Sequence, residues 1–336
     1  MALPSSGSIS FSQLAAELGN ACSDVGLRAY SLCANLTTPD SITELYGKSC
    51  IPIYGPLAWS TGGALITGRR DLAGGGIENE AFAAGGNTIA GRVSSTEEYN
   101  GTSWASGGAL STARYQLAGM GSQNSGLVAG GRTTSPVCVS EEYNGASWST
   151  GGNLLDLRCK CNLAGAGTQN AGLITGGQDD LGFFCLTCTD EYDGTTWTAG
   201  GFLITGRARL AATGTQNVTL AIGGAQGTTN LTCTEEYNGT SWSSGCSMIT
   251  ARRLLAASGT QNSSFAAAGF TTVVVLCTEE YNGTSWSTGC ALICARGCLG
   301  GAGASQTSGL VFGGGNNSYI RCTEEYNQPI TGKCLG

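Results

Sequence analysis

The stretch EEYNGTSW at residues 97–104 recurs with small changes through most of the chain. Near-copies of its acid-acid-Tyr-Asn part begin at Glu97, Glu141, Asp190, Glu235, Glu279 and Glu324, which are 44 to 49 residues apart. A tryptophan keeps the same step, at Trp59, Trp104, Trp148, Trp197, Trp242 and Trp286. This interval is typical of the blades of a β-propeller and is too long for leucine-rich or ankyrin repeats.

Each repeat predicts four short strands. The first is rich in leucine and alanine, and the second is an apolar run closed by two glycines, as at residues 127–131. The third carries the acid pair and tyrosine, and the fourth carries tryptophan. An Asn-Gly turn such as Asn238-Gly239 joins these last two strands, which is a strong hairpin signal. Helical periodicity is absent from the repeats, so the sequence predicts an all-β fold.

The two ends of the repeat region are complementary. Trp59 has no Glu-Glu-Tyr strand before it, and Tyr326 has no tryptophan strand after it. Pairing the strand of Trp59 with that of Tyr326 would complete a sixth blade and remove the free sheet edges. We therefore predict a closed six-bladed propeller over residues 57–327, preceded by an N-terminal segment (1–56) and followed by a C-terminal tail (328–336).

A glycine pair, a tyrosine and a tryptophan at this spacing resemble the kelch repeat. The resemblance covers residues 57–327, and the fifth copy departs from the pattern with Ala268-Gly269. It implies a kelch-like propeller in which the tyrosine and tryptophan columns form the blade cores.

The N-terminal segment predicts a short capped helix over residues 10–19 and a second short element over residues 41–47. The sequences MALPSSGSISFSQLAAELG (1–19) and SITELYG (41–47) resemble the N-terminal segment of tailed-bacteriophage virion proteins. That resemblance implies a segment that docks on the particle and displays a downstream domain. The alternative is an ordinary N-terminal helix packed on the propeller.

Composition excludes several classes of function. The chain of 336 residues has no histidine, which argues against histidine-based triads and against zinc or copper sites. Its net charge is −7 and it has no cluster of Lys or Arg, so we expect no nucleic-acid partner. It shows no secretory signal and no apolar run of membrane-helix length, so we expect no membrane insertion. We expect neither a metal nor another cofactor.

An arginine stands ten residues after every tryptophan: Arg69, Arg114, Arg158, Arg207, Arg252 and Arg296. We expect the six to form a ring near one mouth of the central channel. Guanidinium groups there could hold an anion or an acidic glycan. The interpretation we favour pairs each arginine with an acid of the Glu-Glu-Tyr strand, because a column repeated in every blade is what blade packing requires.

The paired acids do not predict a catalytic site. Neighbouring residues of a strand face opposite sides, so we expect one acid to meet arginine or turn amides and the other to face water. Kelch-like copper oxidases need histidine ligands, and the box of six-bladed sialidases is matched only in part, at residues 193–197. We therefore expect no enzymatic activity.

The 16 cysteines are arranged in columns. Two pairs, Cys233 with Cys246 and Cys277 with Cys290, fall opposite each other if the Asn-Gly hairpin has a two-residue loop, and we predict both as cross-strand disulfides. Cys50 and Cys334 are candidates to lock the two ends, and Cys22 and Cys33 to bond each other or neighbouring subunits. Four further cysteines are expected on one rim, in local or intersubunit bonds: Cys159, Cys161, Cys294 and Cys298. The alternative for all of these is a buried free thiol.

These observations predict a non-enzymatic structural or decoration protein of a tailed-phage virion, on the tail, neck or head. Such a protein is made in the host cytoplasm and is oxidised outside after lysis, which reconciles many cysteines with the lack of a signal peptide. Its expected partners are other virion proteins, through the N-terminal segment, and further copies of itself in a disulfide-linked homo-oligomer. The alternative is a receptor-binding adhesin whose propeller binds host surface glycans. A glycan-cleaving enzyme and an intracellular kelch scaffold are further alternatives.

Overall fold

The computed structural model describes residues 49–54, 57–155, 161–178, 186–327 and 330–335. Over these residues the backbone forms strands, turns and bends, and it contains no helix that could cross a bilayer. Contacts divide the chain into two units, Trp59–Asn327 and the remainder at both ends. The described part of the chain is therefore all-β, as the repeats predict.

Thirty strands are described. Those of the first half are β1 (Ser49–Tyr54), β2 (Ala58–Thr61), β3 (Ala73–Ile77), β4 (Glu80–Ala84), β5 (Asn87–Thr88), β6 (Gly91–Arg92), β7 (Thr96–Tyr99), β8 (Trp104–Ser106), β9 (Ala118–Ser122), β10 (Ser125–Ala129), β11 (Val139–Tyr143), β12 (Trp148–Asn153), β13 (Ala164–Thr168), β14 (Ala171–Thr175), β15 (Thr189–Tyr192) and β16 (Trp197–Ala199). Those of the second half are β17 (Ala211–Thr215), β18 (Val218–Ile222), β19 (Ala225–Gln226), β20 (Thr229–Asn230), β21 (Thr234–Tyr237), β22 (Trp242–Ser244), β23 (Ala256–Thr260), β24 (Ser263–Ala267), β25 (Thr278–Tyr281), β26 (Trp286–Thr288), β27 (Gly300–Ser305), β28 (Ser308–Phe312), β29 (Thr323–Asn327) and β30 (Ile330–Leu335).

Six four-stranded antiparallel sheets form the blades, with strands that we call a to d from the channel outward. Blade 1 is β3-β4-β7-β8, and blade 6 is β27-β28-β29-β2, in which the d strand comes from the start of the repeat region. Each a strand contacts the a strands of its two neighbours, and β27 of blade 6 contacts β3 of blade 1. The six blades therefore surround a central channel.

The meander fixes the two ends of the propeller. The a–b hairpins and the Asn-Gly c–d turns lie at one end, which we call the turn face. The b–c connections and the connections from d to the next a strand lie at the other end, which we call the loop face. Arg69 links the two kinds of loop-face connection, because its Nη1 donates to the carbonyls of Gly85 and Ser95.

A closed circle of backbone hydrogen bonds ties the six blades together at the loop face. In each blade one residue shortly after the repeated arginine, two positions after it in five blades and four in blade 3, donates its N–H to the equivalent residue of the preceding blade, at 2.7–3.0 Å. The six residues of this circle, which we call the mouth ring, are Asp71, Gln116, Asn162, Arg209, Leu254 and Cys298. All six have φ between 54° and 59° although none is glycine, a left-handed conformation that has to be held by its surroundings.

The blade cores use the two aromatic columns. Tyrosine on strand c lies opposite tryptophan on strand d, as with Tyr237 and Trp242, whose ring centres are 4.9 Å apart. Tryptophan also bridges blades, since Nε1 of Trp242 donates to Thr189 Oγ1 at 2.9 Å. Strand b is buried on both faces, and Leu127 and Val128 of β10 are fully buried, because this strand lies between neighbouring blades.

The ends of the chain add one feature that the sequence did not predict. β1 and β30 pair as an antiparallel two-stranded sheet, with Cys50 opposite Cys334 in the backbone register. The helix predicted at residues 10–19 and the element predicted at residues 41–47 lie outside the described residues.

Candidate functional site at the mouth of the channel

The central channel is lined by small residues and backbone. Strand a contributes residues such as Gly74, Gly119 and Gly165, and the channel encloses a cavity of about 120 Å³. The strands approach so closely that a Cβ added at Gly119 would lie 2.6 Å from the carbonyl oxygen of Gly74. The hydroxyls of Thr213 and Ser258 in this lining donate to backbone carbonyls of the next blade, and the lining includes no charged side chain, so charged groups are placed at the ends of the channel.

Five of the six repeated arginines are completely buried in ion pairs. Each guanidinium meets the first acid of the Glu-Glu-Tyr strand of its own blade. The pairs are Arg69 with Glu97, Arg114 with Glu141 at 2.9 Å, Arg207 with Glu235 at 3.3 Å, Arg252 with Glu279 at 3.3 Å, and Arg296 with Glu324 at 3.1 Å. These side chains are at most 3% exposed. They are closed to ligands in this structure, and Arg158 lies outside the described residues.

The acid of each pair also accepts hydrogen bonds from backbone N–H groups of the loop face. Oxygens of Glu279 accept hydrogen bonds from the backbone N–H groups of Ile249 (2.6 Å) and Thr250 (3.1 Å), which belong to the d–a connection. Glu235 and Glu324 hold the equivalent amides of their blades. Burial lowers the pKa of Arg69, Arg114 and Arg296, and the adjacent carboxylate opposes that shift. Each of these carboxylates therefore links strand c to the d–a connection, and we call the Arg–Glu pair with its backbone contacts the brace.

The second acid is half-buried and also bonds a neighbouring blade, a contact that strand alternation did not predict. In every blade it accepts a hydrogen bond from a tyrosine hydroxyl of the following blade. The six contacts are Tyr99–Glu325, Tyr143–Glu98, Tyr192–Glu142, Tyr237–Glu191, Tyr281–Glu236 and Tyr326–Glu280. Sequence reasoning missed this circle because it considered strand faces within a blade and not the neighbouring blade.

Side chains of the mouth ring break the sixfold pattern. The ring holds an aspartate, two amides, an arginine, a leucine and a cysteine at equivalent positions. Burial raises the pKa of the Asp71 carboxyl, and its contacts with Cys298, Arg70 and Arg209 oppose the rise. Burial and the charge of Asp71 also raise the pKa of the Cys298 thiol, so this sulfur is a poor nucleophile at neutral pH.

A pocket of about 510 Å³ opens beside this ring, between the loop-face connections of blades 5 and 6. Arg70, which is 42% exposed, enters its lining together with Phe270, Val273 and Asn316. The guanidinium of Arg70 lies over the ring of Tyr319, 5.1 Å from its centre. The pocket therefore combines one accessible cation with apolar and amide groups. The residues that follow the repeated arginines differ from blade to blade, and this difference is the signal in the sequence that could have indicated the pocket.

The hairpin register on which the disulfide prediction depends is observed. Glu235 lies opposite Ser244 and Tyr237 opposite Trp242, which extrapolates to Cys233 opposite Cys246. In this structure Cys233 and Cys246 carry free thiols, and Sγ of Cys233 accepts a hydrogen bond from Nη1 of Arg207. The disulfide stays a prediction.

Blade 5 repeats this arrangement. Glu279 lies opposite Thr288, which extrapolates to Cys277 opposite Cys290. Cys277 is a free thiol whose Sγ accepts from Arg252 at 2.9 Å, and Cys290 is exposed. This second bond also stays a prediction.

The remaining cysteine candidates are distributed between the two units. Cys294 and Cys298 lie in the d–a connection that enters blade 6, and both are half-buried. Cys161 lies in the connection that enters blade 3 and is buried. Cys22, Cys33 and Cys159 lie outside the described residues. Over the part of the chain that the structure describes, no three His, Cys, Asp or Glu residues converge into a metal site.

No family model matches the sequence, and no curated protein matches it. Solved structures match the fold. One of them, the structure of YjhT, has a TM-score of 0.65 and is 12% identical. The alignment covers 81% of this chain and 98% of YjhT. At this identity the likeness shows the fold alone, and the chain is a six-bladed β-propeller.

Proposed function

We propose that the propeller is of the kelch type and that strand exchange between its ends closes it. β2 lies beside β29 in blade 6, and Trp59 stacks on Tyr326 with ring centres 4.7 Å apart. Nε1 of Trp59 donates to Thr278 Oγ1 at 2.9 Å, the same bridge to the preceding blade that Trp242 makes. These contacts support a clasp that joins the beginning and the end of the repeat region.

We propose that the protein is a non-enzymatic structural protein of a tailed-phage virion, on which it is displayed outside the host after lysis. The observation that supports the structural role is that the repeated polar side chains are engaged in contacts within and between the blades. Five buried Arg–Glu pairs brace the loop face, and six Tyr–Glu contacts link neighbouring blades. The resemblance of residues 1–19 and 41–47 to phage virion segments supports docking through the N-terminal segment.

Purified particles test this proposal. We expect the full chain in particles banded on a density gradient, at a fixed copy number by quantitative mass spectrometry. Leu14→Asp combined with Leu18→Asp should abolish incorporation, while Ile77→Asp on the turn face should leave it unchanged. A chain that stays in the soluble lysate, or normal incorporation of the Leu14→Asp/Leu18→Asp variant, would overturn the proposal.

The second candidate is a receptor-binding adhesin for host surface glycans. The specific observation in its favour is the asymmetric pocket beside the mouth ring, in which Arg70 presents an accessible guanidinium next to Asn316 and Phe270. A glycan array probed with the full chain tests it. Binding that is lost in Arg70→Gln and retained in Arg92→Gln, which lies on the same face away from the pocket, supports the adhesin. Equal binding by both variants, or none by the unaltered chain, contradicts it.

A further inference from the structure

Exposed apolar side chains are concentrated on one end of the propeller. Eleven large hydrophobic side chains of the described residues are exposed. Two of them, Ile77 and Val218, lie on the turn face. The other nine lie in b–c and d–a connections on the loop face: Ile66, Ile89, Leu155, Phe202, Ile204, Ile249, Val273, Leu276 and Ile293. Exposed apolar patches of this kind mark sites of interaction.

Five of the nine occupy equivalent positions, seven residues after the tryptophan. They are Ile66, Leu155, Ile204, Ile249 and Ile293, each between 47% and 61% exposed, and blade 2 has Ser111 at this position. The backbone N–H of Ile204 is held by Glu235 Oε2 at 2.7 Å, so the position is fixed by the buried brace below it. Because equivalent positions of a propeller lie at one level around its axis, these side chains form an apolar circle in one plane.

Two further side chains project from the same face. Ile89 lies at the tip of the β5–β6 hairpin and is 92% exposed, and Arg92 at the end of that hairpin is also exposed. Phe202, in the d–a connection that enters blade 4, is 68% exposed. Apolar tips beside an arginine are suited to a surface with an apolar interior and a charged boundary.

Charge is segregated in the same way. Six described arginines of the propeller stand outside the buried pairs, and all six lie in loop-face connections: Arg70, Arg92, Arg132, Arg209, Arg253 and Arg321. The single described acid in those connections is Asp71. The described a–b and c–d turns carry Glu78 and Asp193 and no basic residue. Over the described residues, the loop-face connections therefore carry an excess of basic side chains, although the whole chain has a net charge of −7.

We infer that the loop face docks peripherally on an anionic lipid surface, with the aliphatic circle in the headgroup boundary and the arginines on the lipid phosphates. A flat partner accounts for contact points spread around the axis at one level. Face-to-face pairing of two copies would bring two basic surfaces together and is disfavoured. The inference is independent of the virion proposal, because it uses none of residues 1–56.

Vesicle co-sedimentation with the full chain tests this inference. We expect binding to vesicles of phosphatidylglycerol and phosphatidylcholine, weak binding to phosphatidylcholine alone, and release by added salt. Ile204→Asp combined with Ile249→Asp should weaken binding at least about tenfold, since it places charges in the apolar boundary. The matched control is Ile77→Asp combined with Val218→Asp, which should bind like the unaltered chain.

A charge variant separates the two contributions. Arg92→Gln combined with Arg132→Gln should weaken binding to anionic vesicles and flatten its salt dependence. Thermal unfolding of each variant verifies that the propeller is intact. Equal binding to both kinds of vesicle, equal loss in the turn-face control, or no binding at all would overturn the inference. A shift from oligomer to monomer in Ile204→Asp/Ile249→Asp by sedimentation velocity, without vesicle binding, would assign the face to self-association instead.

Discussion

The hydroxyl of Tyr281 donates a hydrogen bond to Oε1 of Glu236, at 2.6 Å, across the boundary between blades 5 and 4. Both residues belong to the same repeated phrase, one copy apart. The contact converts an intrablade motif into an interblade tie, and its five equivalents complete the circle around the propeller. The circle explains why the second acid of the phrase recurs, as the buried arginine pair explains the first.

Removing one hydroxyl from this circle should measure the strength of the tie. In Tyr281→Phe the carboxylate of Glu236 loses a buried donor, and hydrogen bonds to charged groups contribute about 1.5–3 kcal/mol. We expect a loss of about 2 kcal/mol in the free energy of unfolding, measured by urea denaturation. Tyr115→Phe, outside the circle, is the control and should change stability by less than about 0.5 kcal/mol. Equal effects of the two substitutions would contradict the role of the tie.

The same circle predicts how stability depends on pH. Burial and the adjacent carboxylate raise the pKa of Tyr99, Tyr143 and Tyr192 from 10.0 to about 12. Because the folded pKa is above the unfolded one, the contribution to stability is complete below pH 10 and is lost as pH rises towards 12. We expect the urea midpoint to be level between pH 8 and 10 and then to fall steeply. A midpoint that stays level through pH 12 would contradict the shift.

The buried ion pair of Arg252 and Glu279 should be costly to break from one side. Arg252→Met leaves the Glu279 carboxylate buried without its cation, which costs about 3–5 kcal/mol. Arg252→Met combined with Glu279→Gln should cost less than the single change, because no isolated charge remains and the amide oxygen can still accept one of the two backbone hydrogen bonds. Urea denaturation compares the two, with Arg132→Met on the loop surface as a neutral control. A double variant less stable than the single one would contradict this account.

The repeat itself predicted much of the fold. The spacing of the six tryptophans indicated six blades, and the Asn-Gly turns indicated the c–d hairpins, whose register around Glu235 and Ser244 is the one inferred. These features depend on local sequence within one blade. The Tyr–Glu circle and the mouth ring depend on contacts between residues about 45 positions apart. Strand propensity and the alternation of residue types describe local sequence and do not predict such contacts.

The exposed aliphatic residues of the loop face could not be recognised as exposed from the sequence. The aliphatic residues seven positions after tryptophan are visible as a column in the sequence, but an aliphatic column in a β-protein ordinarily indicates core. Ile204 is 59% exposed, and its own backbone N–H is fixed by Glu235 at 2.7 Å, which holds the residue at the surface of the connection. Exposure at this position therefore follows from a contact to strand c, and the pattern of residue types alone does not reveal it.

The predicted disulfide between Cys233 and Cys246 can be tested directly. Cys246 is exposed, and the register places it opposite Cys233, whose sulfur lies beside the guanidinium of Arg207. In protein exposed to oxidised glutathione we expect a Cys233–Cys246 bond, detected by peptide mapping after alkylation without reduction.

Cys322 is the internal control for this prediction. It occupies the same column as Cys233, but its blade has Gly63 at the position equivalent to Cys246, so Cys322 should remain open to alkylation. Cys246→Ser should leave Cys233 alkylated as well, and a Cys233 that is blocked in this variant would assign it a different partner.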